Sequence, residues 1–349
     1  MTPCFRLLPF SKMPTENSAT LHLIGFACIG QPGAGKSSLC HAIKLYFEQT
    51  DIPHILVNLD PSHPYADCDI NIREFIMSER LDGLGPNGAM VKCMEEINNN
   101  LEWLTSHIEA NIKSLTLPID QENVVFVIYD FPGQVELYMH HASTRLIMRK
   151  LEKMMRMVVV SVSDSTYLPD FHHFIAMSLT ALGSMLNTGC PTVNVLSKMD
   201  LLNTNQLQGK LRDYLYPNNL TNMIPEVKDQ ENNTFLKFRT LSRELCGIID
   251  NYSLISYIPY SINSPLSIQR LIRQLFKVSG VDGLFADKYY LQGEDDDYAE
   301  RWEHKEDYDK WEHEKIEAML DKDQLEAWRN QEKIVEGTSY DPKIFDNMQ

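Results

Sequence analysis

The chain has 349 residues, 43% of them hydrophobic, 23% charged and 9% aromatic, which excludes a wholly disordered or fibrous protein. That length suits about two average domains, or one large domain with appendages, and a core of this size folds without disulfides or a metal. The net charge of −16 argues against a general nucleic-acid binder, which needs a basic surface to neutralise phosphates.

The charge is unevenly placed. Residues 293–349 carry 19 Asp and Glu against 8 Lys and Arg, so the acidity describes an appendage more than the body of the chain. The longest mostly apolar stretch, Phe174–Leu186, has 13 residues, too few to cross a bilayer, and reads as a buried helix. No membrane partner is expected. Seven cysteines without a CxxC pair exclude the zinc-ribbon and thioredoxin spacings and fit a reducing compartment.

In chain order, residues 1–19 read as an N-terminal extension expected to be disordered, with Met13 a second candidate start. Short apolar runs follow as strands at Leu21–Ile29, Ile55–Leu59, Val124–Tyr129, Met157–Val162, Thr192–Leu196 and Ile255–Pro259. They are continuously apolar instead of alternating, as strands covered on both faces by helices are. Alternation with helical stretches predicts an α/β fold of three layers around a mostly parallel sheet, with ligands at the carboxyl ends of the strands.

Two inserts interrupt this pattern. In the first, 61–122, Met90, Met94, Ile97, Leu101, Leu104 and Ile108 recur at helical steps, predicting a helix packed on the sheet in preference to a partner surface. The second, Asn203–Asn233, is polar and Asn-rich, and reads as a loop with short helices. After residue 292 a charged tail carries Trp302, Trp311 and Trp328, helical or disordered in isolation. The body of the protein is therefore expected at 20–292 and the tail at 293–349.

The strongest signal is the run Gly30, Gln31, Pro32, Gly33, Ala34, Gly35, Lys36, Ser37, which follows the first strand and precedes a helical run beginning at Ser38. It is the full phosphate-binding loop pattern in its strand–loop–helix context. Its glycines let backbone N–H groups surround phosphate oxygens, Lys36 reaches the outer phosphates, and the Ser37 hydroxyl ligates Mg2+.

Further candidates sit at strand ends. Asp60, after the second strand, would hold a magnesium-bound water or act on the attacking one, although Asp before Pro61 also starts turns. Asp130, Phe131, Pro132, Gly133 and Gln134 close the next strand. Asp130 suits the carboxylate that backs magnesium from just outside its direct ligands, the Gly133 N–H can approach a γ-phosphate, and Gln134 stands where several GTPases orient water.

Ser197, Lys198 and Asp200 end the fifth strand. The Asp200 carboxylate can accept two hydrogen bonds from guanine, for which adenine has no matching pair, while the stem of Lys198 covers the base and Ser197 lends support. Ser261 and Tyr260 offer backbone to the base oxygen. The last mark, Gly85, Pro86 and Asn87 in the first insert, is in isolation a turn.

Together with the run 130–137, His140, His141 and the run 197–202, that tripeptide makes the chain resemble the GPN-loop GTPases from about Leu21 to Gly280, and most of all their second eukaryotic paralogue. The resemblance implies a GTP-hydrolysing, GTP- and GDP-binding assembly factor with Mg2+ as cofactor. It further implies a homodimer, or a heterodimer with another family member, in which Asn87 reaches the partner's site. RNA polymerase II subunits or assembly factors are the implied clients, in a cytoplasmic protein that can shuttle to the nucleus.

Slow intrinsic turnover is expected, since no arginine finger stands out. Two other readings stay open on the residues alone: a nucleotide-gated scaffold with incidental hydrolysis, which shares every ligand residue, and a P-loop kinase, for which no arginine-bearing lid is found.

Overall fold

The computed structural model describes residues 13–14, 20–62, 67–76, 85–117, 123–207, 209–224 and 233–289. The acidic tail, and all of the N-terminal extension except Met13–Pro14, lie outside them. Eight strands form one sheet: β1 (Met13–Pro14), β2 (Thr20–Gly30), β3 (His54–Asn58), β4 (Ile70–Asn71), β5 (Asn123–Asp130), β6 (Arg156–Asp164), β7 (Thr192–Ser197) and β8 (Tyr257–Pro259). Seven of them run parallel in the order β4-β3-β5-β2-β6-β7-β8, and β1 adds an antiparallel two-residue pairing to the start of β2.

All six strands read from the sequence are present. β8 is shorter than read, and β1 and β4 escaped notice because two-residue strands have no periodicity to find. Only the first residue of β3, β5, β6 and β7 is not buried, which is why these segments read as unbroken apolar runs.

Among the described residues the α-helices are α1 (Lys36–Gln49), α2 (Ile72–Phe75), α3 (Pro86–Asn99), α4 (Leu101–Ser114), α5 (Val135–Met139), α6 (Ala142–Leu151), α7 (Phe171–Thr188), α8 (Leu211–Leu215), α9 (Asn233–Tyr252), α10 (Pro265–Ser279) and α11 (Asp282–Tyr289). Alternate residues of each central strand face opposite layers. Leu23, Ala27, Val125 and Val127 join Met94, Ile97, Leu104 and Ile108 of α3 and α4 and Ile147 and Leu151 of α6. Ile24, Phe26, Phe126 and Ile128 face α1 and α10, where Phe126 lies 5.0 Å from Phe47 and 5.1 Å from Phe276 between ring centroids. Helices on both faces of a mostly parallel sheet make the expected three layers.

The apolar pattern of the first insert does pack on the core, but as two helices instead of one. Asn100 breaks the run with φ −123° and ψ 46°, and its N–H still bonds back to Glu96 and Ile97. The second insert is less loop-like than its composition suggests, because Leu211, Tyr214, Leu215 and Leu220 are buried. Phe174 to Leu186 lies within α7, started by Asp170 capping the His172 N–H at 2.9 Å and ended by left-handed Gly189. Among the described residues no helix is long and apolar enough to cross a membrane.

Candidate nucleotide-binding site

β2 delivers the chain into the loop 30–35 at the carboxyl edge of the sheet, between β5 and β6. Gly30 (φ 151°), Gly33 (φ 75°) and Gly35 (φ 85°) take conformations that side chains resist. Gly30 is also enclosed, since a Cβ there would collide with the Val162 carbonyl. From Gly35 the chain enters α1 directly, placing Lys36 and Ser37 in its first turn.

The 130–134 segment packs onto this loop. A Cβ on Gly133 would stand 2.7 Å from Lys36 Nζ and 3.1 Å from Pro32 Cα, so any larger residue would press on both. Lys36 is buried and donates to the Gln31 carbonyl at 3.1 Å. Burial lowers its pKa, opposed by the nearby carboxylates of Asp130 and Asp60. An anionic ligand would counter that lowering by favouring the charged form.

Ser37 Oγ donates to Asp130 Oδ2 at 2.6 Å, and Asp130 is almost wholly buried. A hydroxyl and a carboxylate side by side, next to a cradle for phosphates, form the all-oxygen donor set that Mg2+ takes when phosphates and water fill its other positions. Among the described residues no group of three or more His, Cys, Asp and Glu could hold a metal unaided.

Asp60 stands two residues beyond the end of β3, not at the strand end itself. Its N–H donates to Asn58 Oδ1 at 3.0 Å, and its own Oδ1 accepts from the Ser62 N–H at 2.9 Å and from the Ser62 hydroxyl. Asp60 therefore organises the turn, and it is also close enough to Lys36 to influence it.

Gln134 is buried, and its Nε2 donates to Asn87 Oδ1 of the same chain. Asn87 lies in the first turn of α3, which begins at Pro86 after Gly85 (φ −65°, ψ 165°). Asn87, which the resemblance implies reaches a partner's site, meets Gln134 of its own chain here. His141 caps α6 through Nδ1 at 3.3 Å and faces Glu95 of α3 at 3.6 Å, tying the same two regions together.

The loop after β7 is built around Ser197, whose hydroxyl donates to the Ala34 carbonyl at 2.6 Å and the Ser163 carbonyl at 3.1 Å. Lys198 is left-handed (φ 57°), and its Nζ meets Asp164 Oδ2 at 2.6 Å. Asp200 Oδ1 accepts from Ser261 Oγ at 2.9 Å, and Oδ2 lies 3.5 Å from Asn263 Nδ2.

The Ser261 N–H donates to Ser267 Oγ at 3.1 Å, and its hydroxyl is the one on Asp200. Asn58, Asp164, Asn263 and Ser267 were missed by the sequence reading. Asp164 alone carried a signal, a carboxylate at the end of a buried strand.

The comparisons agree with this geometry. A family model described as "Conserved hypothetical ATP binding protein" matches residues 28–281. The apo form of a GTPase from Pyrococcus abyssi shares the fold with a TM-score of 0.53 and 22% identity, over 73% of this chain and 96% of that one. GPN-loop GTPase QQT1 of Arabidopsis thaliana is 32% identical over 74% of this chain and 85% of its own length. GPN-loop GTPase 2 of Danio rerio is 32% identical over 73% and 80%. With the tripeptide at 85–87 joined by Asn87 to the phosphate site, these similarities make the chain a member of the GPN-loop GTPase family.

Proposed function

We propose that the chain binds GTP and hydrolyses it slowly to GDP and phosphate. The observation that carries this reading is the coupling of two half-sites. Ser197 fastens the loop bearing Asp200 to the phosphate loop, so a base reader and a triphosphate cradle are tied together.

In this reading Lys36 and the backbone of 30–37 hold the β- and γ-phosphates, and Ser37 and Asp130 would hold Mg2+. Bound there, the ion would neutralise charge developing on the phosphate oxygens. Asp60 and Gln134 orient the water that attacks the γ-phosphorus, Asn87 fixes the Gln134 amide, and the bond to the β–γ bridging oxygen breaks. The Asp200 carboxylate takes the guanine N1–H and amine.

The family resemblance supports the wider role: association with another GPN-loop GTPase, or with a second copy, and assembly or nuclear import of RNA polymerase II from the cytoplasm.

Competition binding of GTP, GDP and ATP with Mg2+ tests the reading. Guanine nucleotides should win, and Asp200→Asn should shift preference toward xanthosine triphosphate, because its amide donates where the xanthine C2 oxygen accepts. Equal or better binding of ATP would overturn it.

A further inference from the structure

Lys198 is held in a way that its expected role does not require. The lysine that covers a base needs only its apolar stem. Here the ammonium is anchored as well, 2.6 Å from Asp164 Oδ2, with side-chain exposures of 34% for the lysine and 8% for the aspartate. Asp164 is the last residue of β6 and pairs in register with Ser197 of β7, immediately before Lys198.

The aspartate is itself fixed. Its Oδ1 accepts from the Thr166 N–H at 2.9 Å and from Thr166 Oγ1 at 2.6 Å, so three donors converge on one buried carboxylate. The lysine backbone is set by left-handed φ and by its neighbour Met199, whose N–H donates to the Tyr260 carbonyl at 3.2 Å. Both ends of the Lys198 side chain are thus pinned, one by the backbone and one by Asp164.

We propose that Asp164 is a positioning residue for the nucleotide base: by clamping the Lys198 ammonium it holds the stem as a ready-made apolar platform beside Asp200. The inference rests on the guanine-nucleotide reading of this site. A long side chain free in solution would lose rotamer freedom when a base docked against it, and the clamp removes that loss before binding. Asp164 acts through Lys198, so its effect belongs in affinity and not in the chemical step.

A double-mutant cycle on the full chain tests this, with GDP affinity by calorimetry and GTP turnover as readouts. Asp164→Asn keeps an oxygen to cap Thr166 while removing the charge that holds Lys198. It should weaken GDP about tenfold and raise KM for GTP, with kcat at saturation unchanged within about twofold. Lys198→Met, which keeps the stem but loses the ammonium, should weaken GDP by a similar factor. Adding Asp164→Asn to it should then cost less than about twofold.

Additive losses, or a fall in kcat at constant KM, would overturn the clamp. Should Asp164→Asn melt early, Lys198→Met decides alone: wild-type affinity in that variant also overturns it. A wild-type chain that prefers ATP would overturn the guanine reading, and the same cycle run on ATP would still judge the clamp. A chain binding neither nucleotide overturns both.

Discussion

The Ser197 hydroxyl and the Ala34 carbonyl, 163 residues apart in the chain, meet at 2.6 Å and lock the base-reading loop to the phosphate loop. Ser197 is almost fully buried, and its oxygen also reaches the Ser163 carbonyl. Ser197→Ala should therefore cost about 1–3 kcal/mol of folding stability, because it removes a donor serving two interior carbonyls. Nucleotide affinity should fall alongside, since the two half-sites lose their registration. Urea denaturation and GDP calorimetry on the same preparation check both. A variant with normal stability and normal affinity would show that the lock carries no energy.

The Asn87–Gln134 hydrogen bond makes a different prediction, about turnover. If Asn87 holds the Gln134 amide for water, then Asn87→Ala and Gln134→Ala should each lower kcat about tenfold or more while GDP affinity stays within about twofold. The double variant should be no worse than the poorer single one, as for residues acting as a unit. The contact lies within one chain, so the loss should persist in dilute protein. A loss confined to high protein concentration would assign Asn87 to a partner's site instead. Normal cellular function of the double variant would favour the scaffold reading over hydrolysis.

Much of this site was legible because its residues stand at strand ends, where a buried apolar run stops at a polar residue: Asp130 and Ser197 are such stops. The phosphate loop was legible because its glycines answer a backbone demand that other residues fail. Tertiary partnerships were not legible. Nothing local tells Ser261 that Ser267 will take its N–H, or Lys198 that Asp164, 34 residues earlier, will take its ammonium. The break at Asn100 was hidden for a related reason: the apolar spacing runs through it, and only the backbone turns.

Cys93 on α3 offers a pH test of the insert's packing. Burial and the nearby Asp60 carboxylate push its thiol up to about 11 from 9.0. A raised thiol favours the protonated folded form, so its contribution is complete below pH 9.0 and is lost as pH rises toward about 11. The melting temperature should decline across that window, and Cys93→Ala should flatten the decline while lowering the starting value, as removal of a buried group does. An unchanged slope in the variant would mean that the thiol does not ionise with unfolding.

Gly30 and Gly33 share positive φ but not surroundings, and their alanine variants should part company. At Gly30 the added methyl would strike the Val162 carbonyl, a backbone atom in the parallel pairing of β2 with β6 that cannot swing aside. At Gly33 nothing lies within 4 Å, so only the left-handed backbone resists. Gly33→Ala should cost about 1–2 kcal/mol of stability. Gly30→Ala should cost clearly more, on the order of 3 kcal/mol or above, or fail to fold. Denaturation midpoints compare them directly. Equal losses would mean that β2 and β6 can separate at their carboxyl ends, and that the wall behind the phosphate loop is softer than its burial implies.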